Sequence, residues 1–386
     1  MENQLKICHI TSVHRAFDNR IFHKECKALV AAGYDVTLIA QNDRNEVIDG
    51  VRILALPRVK NRISRMIGIN LLSLIHAVRQ KAQIYHFHDP ELIPACLILK
   101  MFNKKVLYDV HELVLSDIQD KKWLRFSFVT KVTQYLYAFF ECLAMRYFDA
   151  VILAEDGYLQ YFAGTYTRYA NKLRIVRNYP ILQLIDKAKA LDIKKTKPII
   201  IYVGALIPTR SIREMIQMMN YIREEAELWL LGGGLEGKIR KEYENIEGWQ
   251  YVKHFGFRRV EEIYSYIKAA DVALVIYQPV MNNLTTVPVK SFEYMSCSVP
   301  FVCSDFPSWR NVFHGASLSA SPNDPKDIAD QVKILLHNES LRREMGRRGR
   351  EIIDNNKYSW EMERNKLWAI YHDLSSDWST ELNLDG

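Results

Sequence analysis

Short apolar runs alternate with longer amphipathic stretches from the N-terminus onward, the pattern of β-α units wound around a parallel sheet. Leu5–Thr11, Asp35–Ala40, Ile84–His88, Val106–Val110 and Ala150–Ala154 are predicted strands. Between them, Asp18–Ala32 and Leu71–Gln80 are predicted helices, the first closed by Gly33 as its C-terminal cap. A polar, lysine-rich stretch, Asp186–Lys197, precedes a second series. Its strands are predicted at Pro198–Val203, Leu228–Leu231, Val272–Tyr277 and Phe301–Cys303, and its helices at Ser211–Ile222, Glu236–Ile246, Glu261–Ala269, Pro325–Leu336 and Leu341–Ile353. The fold class read from this order is α/β, two Rossmann-like parallel-sheet domains facing a cleft. Residues 1–180 form the first domain, 181–196 a linker and 197–358 the second. The final helical run, 360–375, is a candidate to pack back on the first domain.

Composition narrows the class. With 386 residues, 48% hydrophobic and 25% charged, the chain can fill two cores, and no low-complexity tract points to disorder. Its six cysteines, Cys8, Cys26, Cys96, Cys142, Cys297 and Cys303, have neither zinc-finger nor disulfide-framework spacing. No signal peptide is read, so a reducing cytoplasm is the expected compartment. No stretch reaches the roughly 18 to 20 apolar residues that span a bilayer, which leaves peripheral contact as the expected membrane mode. The net charge of +7 suits an anionic surface or a phosphorylated substrate. No nucleic-acid module is present, and no nucleic-acid partner is expected.

Ligands of open parallel sheets bind at the carboxyl ends of the strands, so the polar residues there carry the chemistry. In Val287-Pro288-Val289-Lys290-Ser291-Phe292-Glu293-Tyr294-Met295, a helix beginning near Pro288 aims its free N–H groups at an anion. Glu293, about one turn further, is placed to accept hydrogen bonds from a ribose diol. The alternative for Glu293 is an ordinary helix position facing solvent. Gly232-Gly233-Gly234 closes the strand Leu228–Leu231 with small residues that permit close backbone approach. Arg258 is either part of the same pocket or a solvated loop arginine.

The string from Val287 to Met295, with Val299–Asp305 beside it, resembles the carboxyl-terminal motif of retaining glycosyltransferase family 4, of the two-domain GT-B type. That family commonly carries two glutamates seven residues apart; Glu293 matches the second, and Thr285 stands where the first falls. The resemblance assigns Thr285, Thr286, Val287, Lys290 and Glu293 to the donor. Tyr202–Arg210 resembles the family's glycine-bearing turn around Gly204, with Ala205 in place of its usual Arg and Arg210 at its Lys position. An arginine there holds the charge of a leaving diphosphate bidentately, with Lys290 or Arg213 as the second cation. Gly233 is assigned by the resemblance to the neighbourhood of the base or ribose.

In the first half, Thr11–Arg20 closes the first strand and opens the first helix. Its Asp18-x-Arg20 string resembles a subset of the same family. Ser12, Asp18 and Arg20 are read as acceptor-side residues, with a plain helix N-cap as the alternative for Asp18. His88 and Asp89 end one strand, and Asp109, His111 and Glu112 end the next. The resemblance places His111 at the donor sugar, and His88 and Asp89 on the acceptor side. His86 and His88 share a strand face, but no downstream His pair follows and the related enzymes need no metal, so no metal is assigned. Trp123–Phe148 is rich in aromatics, read mostly as core packing, and Lys60–Ile67 is a basic-apolar candidate for anionic lipid.

The resemblance thus implies a metal-independent, retaining hexosyltransferase with His111, Arg210 and Lys290 as catalytic residues and no cofactor. Its partners are a UDP- or GDP-sugar and a glycan or lipid-linked acceptor, at the inner face of a bacterial membrane, in O-antigen, capsule or exopolysaccharide synthesis. Two alternatives stay open: a sugar-nucleotide epimerase on the same fold, and a non-catalytic nucleotide-sugar or glycan binder, favoured by Ala205 and Thr285. A nicotinamide oxidoreductase is disfavoured, since Thr11–Asp18 contains no glycine.

Overall fold

The computed structural model describes residues 4–59, 65–111, 113–114 and 127–381. The chain divides into two compact units, Met1–Asn178 with Glu361–Gly386, and Tyr179–Trp360. Each contains one parallel-sheet α/β core, the class expected from the alternating pattern.

Unit 1 is built on eight strands: β1 (Lys6–Arg15), β2 (Asp35–Gln41), β3 (Glu46–Ile48), β4 (Val51–Leu56), β5 (Ile84–Phe87), β6 (Lys105–Val110), β7 (Ala150–Leu153) and β8 (Leu173–Ile175). Their order is β3-β4-β2-β1-β5-β6-β7-β8, and only β3 runs antiparallel to its neighbour. The pleat sends alternate residues to opposite faces. Cys8, Ile10, Tyr85, Phe87, Val106, Tyr108 and Val110 therefore join one apolar cluster, completed by the helices Asn70–Gln80, Ile93–Met101 and Ser127–Tyr147. By the same alternation His9, His86 and Asp109 point to the other face. There the predicted helix Asp18–Ala32 takes another form: a π-helical turn, Ile21–Cys26, continued by the short helix Lys27–Ala31. Glu25 N–H donates to Arg20 carbonyl O at 3.0 Å, five residues back, so the turn is one residue wider than an α-turn.

The aromatic stretch divides between core and surface, where packing had been expected for most of it. Phe148 is buried and Tyr137 and Phe140 pack on the cluster, but Phe128 (78% exposed), Tyr135 (75%) and Phe139 lie on the outer side of their helix. One side of that helix packs on Ile93–Met101 and the sheet, which leaves the opposite side uncovered. Lys121, Lys122, Trp123 and Phe126 lie outside the described residues, as do residues 60–64 of the basic-apolar stretch.

Unit 2 has six parallel strands: β9 (Ile199–Val203), β10 (Glu227–Leu231), β11 (Val252–Gly256), β12 (Val272–Val275), β13 (Phe301–Ser304) and β14 (Ser317–Ala320), in the order β11-β10-β9-β12-β13-β14. Residues 181–196, read as a linker, lie inside this unit and carry the helix Leu182–Lys187, whose Ile185 is buried in the unit's core. The last helix, Trp360–Glu381, goes with unit 1 from Glu361 onward, with Leu367 and Tyr371 buried.

Candidate active site

In unit 2 the connections leave β9 and β12 in opposite directions across the sheet, which makes the carboxyl ends of these two neighbours the topological switch point. The turns after β9 and β10 interlock there. Gly204 N–H donates to Leu231 O at 2.9 Å, and Leu206 N–H donates to Gly233 O at 2.8 Å. A Cβ on Gly232 (φ 150°) would lie 1.7 Å from the Gly204 carbonyl oxygen, so only glycine fits this crossing. Gly233 differs: nothing lies within 4 Å of where its Cβ would be. Its outward side is open to a ligand's close approach.

Arg210 ends the short turn Pro208–Arg210 after β9. Its guanidinium lies 3.8 Å over the ring of Tyr277, just past β12, and its Nη1 donates to Asn283 Oδ1 at 2.9 Å. Asn283 is fixed in turn by donating to the Gln278 carbonyl at 2.8 Å. Tyr277 and Asn283, which the sequence reading had not singled out, thus hold the cation across the switch point. Arg213, proposed as the second cation, instead pairs with Glu242 on the following helix.

The helix Val289–Ser296 begins after Pro288 with no side chain capping its first turn. Lys290 Nζ lies 2.7 Å from Glu293 Oε2, and Glu293 is 1% exposed. The solvent-facing alternative for Glu293 is excluded: its carboxylate is buried and tied to a half-buried ammonium one turn earlier. Thr285 is exposed at the end of the helix Met281–Thr285, while the Thr286 carbonyl accepts from Trp309 Nε1 at 2.7 Å and Val287 packs against the core. Arg258 is held locally, its Nη1 donating to Phe257 O at 3.1 Å and its Nε lying 3.3 Å from the Tyr266 hydroxyl.

In unit 1 the switch point falls between β1 and β5. Asp89 Oδ2 accepts from Thr11 Oγ1 and Ser12 N–H, each at 2.7 Å, and from Val13 N–H at 3.2 Å. Ser12 Oγ donates to Glu91 at 2.8 Å. Ser12, within β1, and Asp89 are both buried, so they brace the carboxyl-terminal part of β1 from within. Asp18 Oδ1 accepts from the amides of Arg20 (2.8 Å) and Ile21 (3.0 Å), which is the capping role. Its Oδ2 lies 3.4 Å from His14 Nδ1. Burial raises the Asp18 carboxyl, but the His14 hydrogen bond and charge outweigh it and hold the group below the usual carboxylate range.

Arg20 is buried and grips Asp109 through Nε and Nη2, each at 2.8 Å, while its Nη1 donates to the Val176 carbonyl at 2.9 Å. Asp109 Oδ2 also lies 2.7 Å from His111 Nε2 and 3.2 Å from His88 Nδ1. Burial acts to raise Asp109, yet Arg20 and the histidines hold it well below the usual range. His111 is the half-buried member of this set, with its carbonyl accepting from Tyr158 at 2.8 Å. Half-buried His14 lies beside it, with ring centroids 5.5 Å apart. Glu112 lies outside the described residues.

Residues 19–179 match glycosyltransferase family 4 and residues 185–352 match the glycosyl transferases group 1 family, so the chain belongs to the group 1 glycosyltransferases. An uncharacterized glycosyltransferase of Methanocaldococcus jannaschii is 25% identical over 247 residues, 59% of this chain and 66% of that protein. The O-antigen chain mannosyltransferase B of Escherichia coli is 29% identical over 169 residues, 42% of each chain. The alignments thus span less than two thirds of these relatives' own length. Among solved structures, Anabaena HepE in complex with UDP-glucose matches with a TM-score of 0.71 at 13% identity, covering 97% of this chain and 100% of that one. At that identity the likeness shows the fold, GT-B.

Proposed function

We propose that this chain is a retaining glycosyltransferase that moves a hexosyl unit from a UDP- or GDP-sugar to a glycan or lipid-linked acceptor during bacterial surface-polysaccharide synthesis. The observation that carries the reading is the buried Glu293 carboxylate, paired with Lys290 in the first turn of an uncapped helix. A buried carboxylate near open N–H groups suits a ribose diol beside a diphosphate. Gly233 leaves room for the nucleotide, and Arg210, stacked on Tyr277, supplies fixed positive charge for the departing diphosphate. The transfer step draws on Arg210 and Lys290 rather than on a metal ion, with Thr285 and Thr286 on the sugar side and Arg258 at the base. In unit 1 His111 serves the donor sugar, and the loops framed by Ser12, Asp18, Arg20, His88 and Asp89 serve the acceptor. The Escherichia coli relative is named for O-antigen mannosyl transfer, and HepE was solved with UDP-glucose; both fit a nucleotide-sugar donor.

The acceptor's membrane setting has its own support. Among the described residues no helix is long and apolar enough to cross a membrane. The neighbouring helices Asn70–Gln80, Ile93–Met101 and Ser127–Tyr147 instead expose Leu71, Ile75, Ile98, Met101, Phe128 and Phe139. Their only acidic residue, Glu141, is buried, whereas Arg79, Lys131 and Arg146 are exposed. Such a face suits peripheral binding to anionic lipid at the inner side of the membrane.

The test is calorimetric titration of UDP and GDP into the wild type and Glu293→Ala in the presence of chelator. Binding of one nucleotide, weakened at least about tenfold by the substitution (about 1.4 kcal/mol), is expected. No binding of either would overturn the donor site, and an inverted anomeric product would overturn retention.

A further inference from the structure

The side of the unit 1 sheet opposite the apolar helices carries a buried group of residues, of which only His88 belongs to the proposed acceptor loops. His9 on β1 and His86 on β5 are register partners on adjacent strands, and His88 follows two residues after His86 on the same face. The π-helical turn swings Glu25 over them. All four side chains are buried, with relative exposures of 0 to 2%, and one ligand-capable atom from each lies within 4.8 Å of the others. His9 Nδ1 is 3.0 Å from His88 Nε2, and His88 Nε2 is 3.9 Å from Glu25 Oε2. A tetrahedral ion with bonds of roughly 2.0–2.1 Å keeps its ligand atoms roughly 3.3 Å apart, so these spacings bracket what such an ion needs.

The hydrogen bonds around the group divide each ring into an inner and an outer nitrogen. The Tyr371 hydroxyl lies 2.9 Å from His86 Nδ1 and 3.3 Å from His9 Nε2, and its oxygen can accept from both. Asp109 Oδ2 lies 3.2 Å from His88 Nδ1. The outer nitrogens are therefore supported by a phenol and a carboxylate, as metal-bound histidines characteristically are. Of the inner atoms, His9 Nδ1 and His88 Nε2 have each other at 3.0 Å. His86 Nε2 and Glu25 Oε2 are fully buried with no hydrogen bond among the described residues, an arrangement costly for a carboxylate and an imidazole left to themselves. Arg20 does not relieve Oε2: its fork is committed to Asp109, and its Nε approaches the other oxygen, Glu25 Oε1, at 3.0 Å.

We infer that His9, His86, His88 and Glu25 form a closed, four-ligand site for a divalent transition-metal ion, of the kind that three imidazoles and a carboxylate select, in the core of unit 1. Zinc and ferrous iron suit that donor set. With all four positions filled by protein the site is structural, tying the centre of the sheet to the π-helical turn. It also orients His88, and through Asp109 the half-buried His111.

Elemental analysis of the full chain, purified without a histidine tag, tests this. About one equivalent of zinc or iron per chain is expected to survive gel filtration in chelator, because every ligand is buried. Growth with cobalt as the supplied metal is expected to give the visible absorption of tetrahedral cobalt(II). Glu25→Ala and His86→Ala are expected to lose about nine-tenths of the metal. Folded wild-type protein with no more than about a tenth of an equivalent, and no cobalt spectrum, would overturn the site. Metal retained in full by folded Glu25→Ala and His86→Ala would overturn it equally. Should these variants not fold, the wild-type cobalt spectrum decides. No nucleotide enters the measurement, so its outcome is independent of the donor reading.

Discussion

Arg20 and Asp109 meet through two parallel hydrogen bonds of 2.8 Å in the interior of unit 1, 89 residues apart in sequence. The fork matches a carboxylate's geometry, and both groups have left water, so the pair stands only while both partners remain. Arg20→Ala strands Asp109 as a buried charge and is expected to cost about 3–5 kcal/mol. Arg20→Lys keeps the charge but loses the second bond, and is expected to recover only part of it. Urea unfolding of the three proteins measures the difference. A loss under about 1 kcal/mol in Arg20→Ala would mean that Asp109 finds other partners.

Two adjacent glycines of unit 2 are expected to respond in opposite ways. In Gly232→Ala the new Cβ meets the Gly204 carbonyl, which cannot move without opening the turn, and a loss of at least about 3 kcal/mol is expected. Gly233→Ala meets nothing and is expected to keep the wild-type unfolding midpoint. Weakened nucleotide binding in Gly233→Ala, at unchanged stability, would report that the ligand's phosphate or ribose occupies that open side.

Much of the fold could be read from the sequence because its signals are local. Ile199–Val203 and Val272–Val275 are apolar runs of strand length, and the Met215, Ile216 and Met219 spacing marks one buried helix face. What escaped was either weakly patterned or distant. β14 reads Ser-Leu-Ser-Ala, with too little apolar alternation to mark a strand, and β3 leaves Val47 exposed in a short edge hairpin. Arg210 and Glu293 were legible from their motifs, but the Tyr277 and Asn283 that hold Arg210 come from another strand's loop. The histidine pair on β5 was visible too. Its completion by His9 and Glu25 depends on strand order and on a π-turn, neither of which a two-residue spacing encodes.

Glu141 links the stability of unit 1 to pH. It is buried on the inner side of its helix, and accepts from the hydroxyls of Tyr137 (2.9 Å), Tyr161 and Tyr166 (each 2.7 Å). Burial pushes its carboxyl up, and the three hydroxyls only partly offset this. A carboxyl raised on folding adds stability below its unfolded value, about 4.3, and that contribution is lost as pH rises through the folded value. Glu141→Gln does not titrate, so it is expected to gain on the wild type as pH rises from about 4 toward neutrality. Unfolding midpoints of both proteins across that range check the sign. A constant difference would mean that the tyrosines hold Glu141 at its unfolded value.

The exposed apolar face of unit 1 makes a quantitative demand on lipid binding. Phe128, Tyr135 and Phe139 stand on the outer side of one helix, spaced 7 and 4 residues apart, and burying such side chains stabilises by about 1.5–3 kcal/mol each in an apolar phase. The headgroup boundary realises part of this, and exposed Lys131 and Arg146 on the same helix add attraction to anionic lipid. Sedimentation with vesicles of mixed zwitterionic and anionic lipid is therefore expected to capture the wild type, less so at high salt. Replacing Phe128, Tyr135 and Phe139 together by Ser is expected to weaken capture by at least about tenfold, with nucleotide binding unchanged since unit 2 is untouched. Phe128 and Tyr135 are mostly solvent-facing and Phe139 is half exposed against Phe140, so an unchanged unfolding midpoint of the variant separates lipid binding from loss of packing. Equal capture of wild type and variant would remove this face from the membrane, and capture by purely zwitterionic vesicles at undiminished strength would remove the charge from the argument.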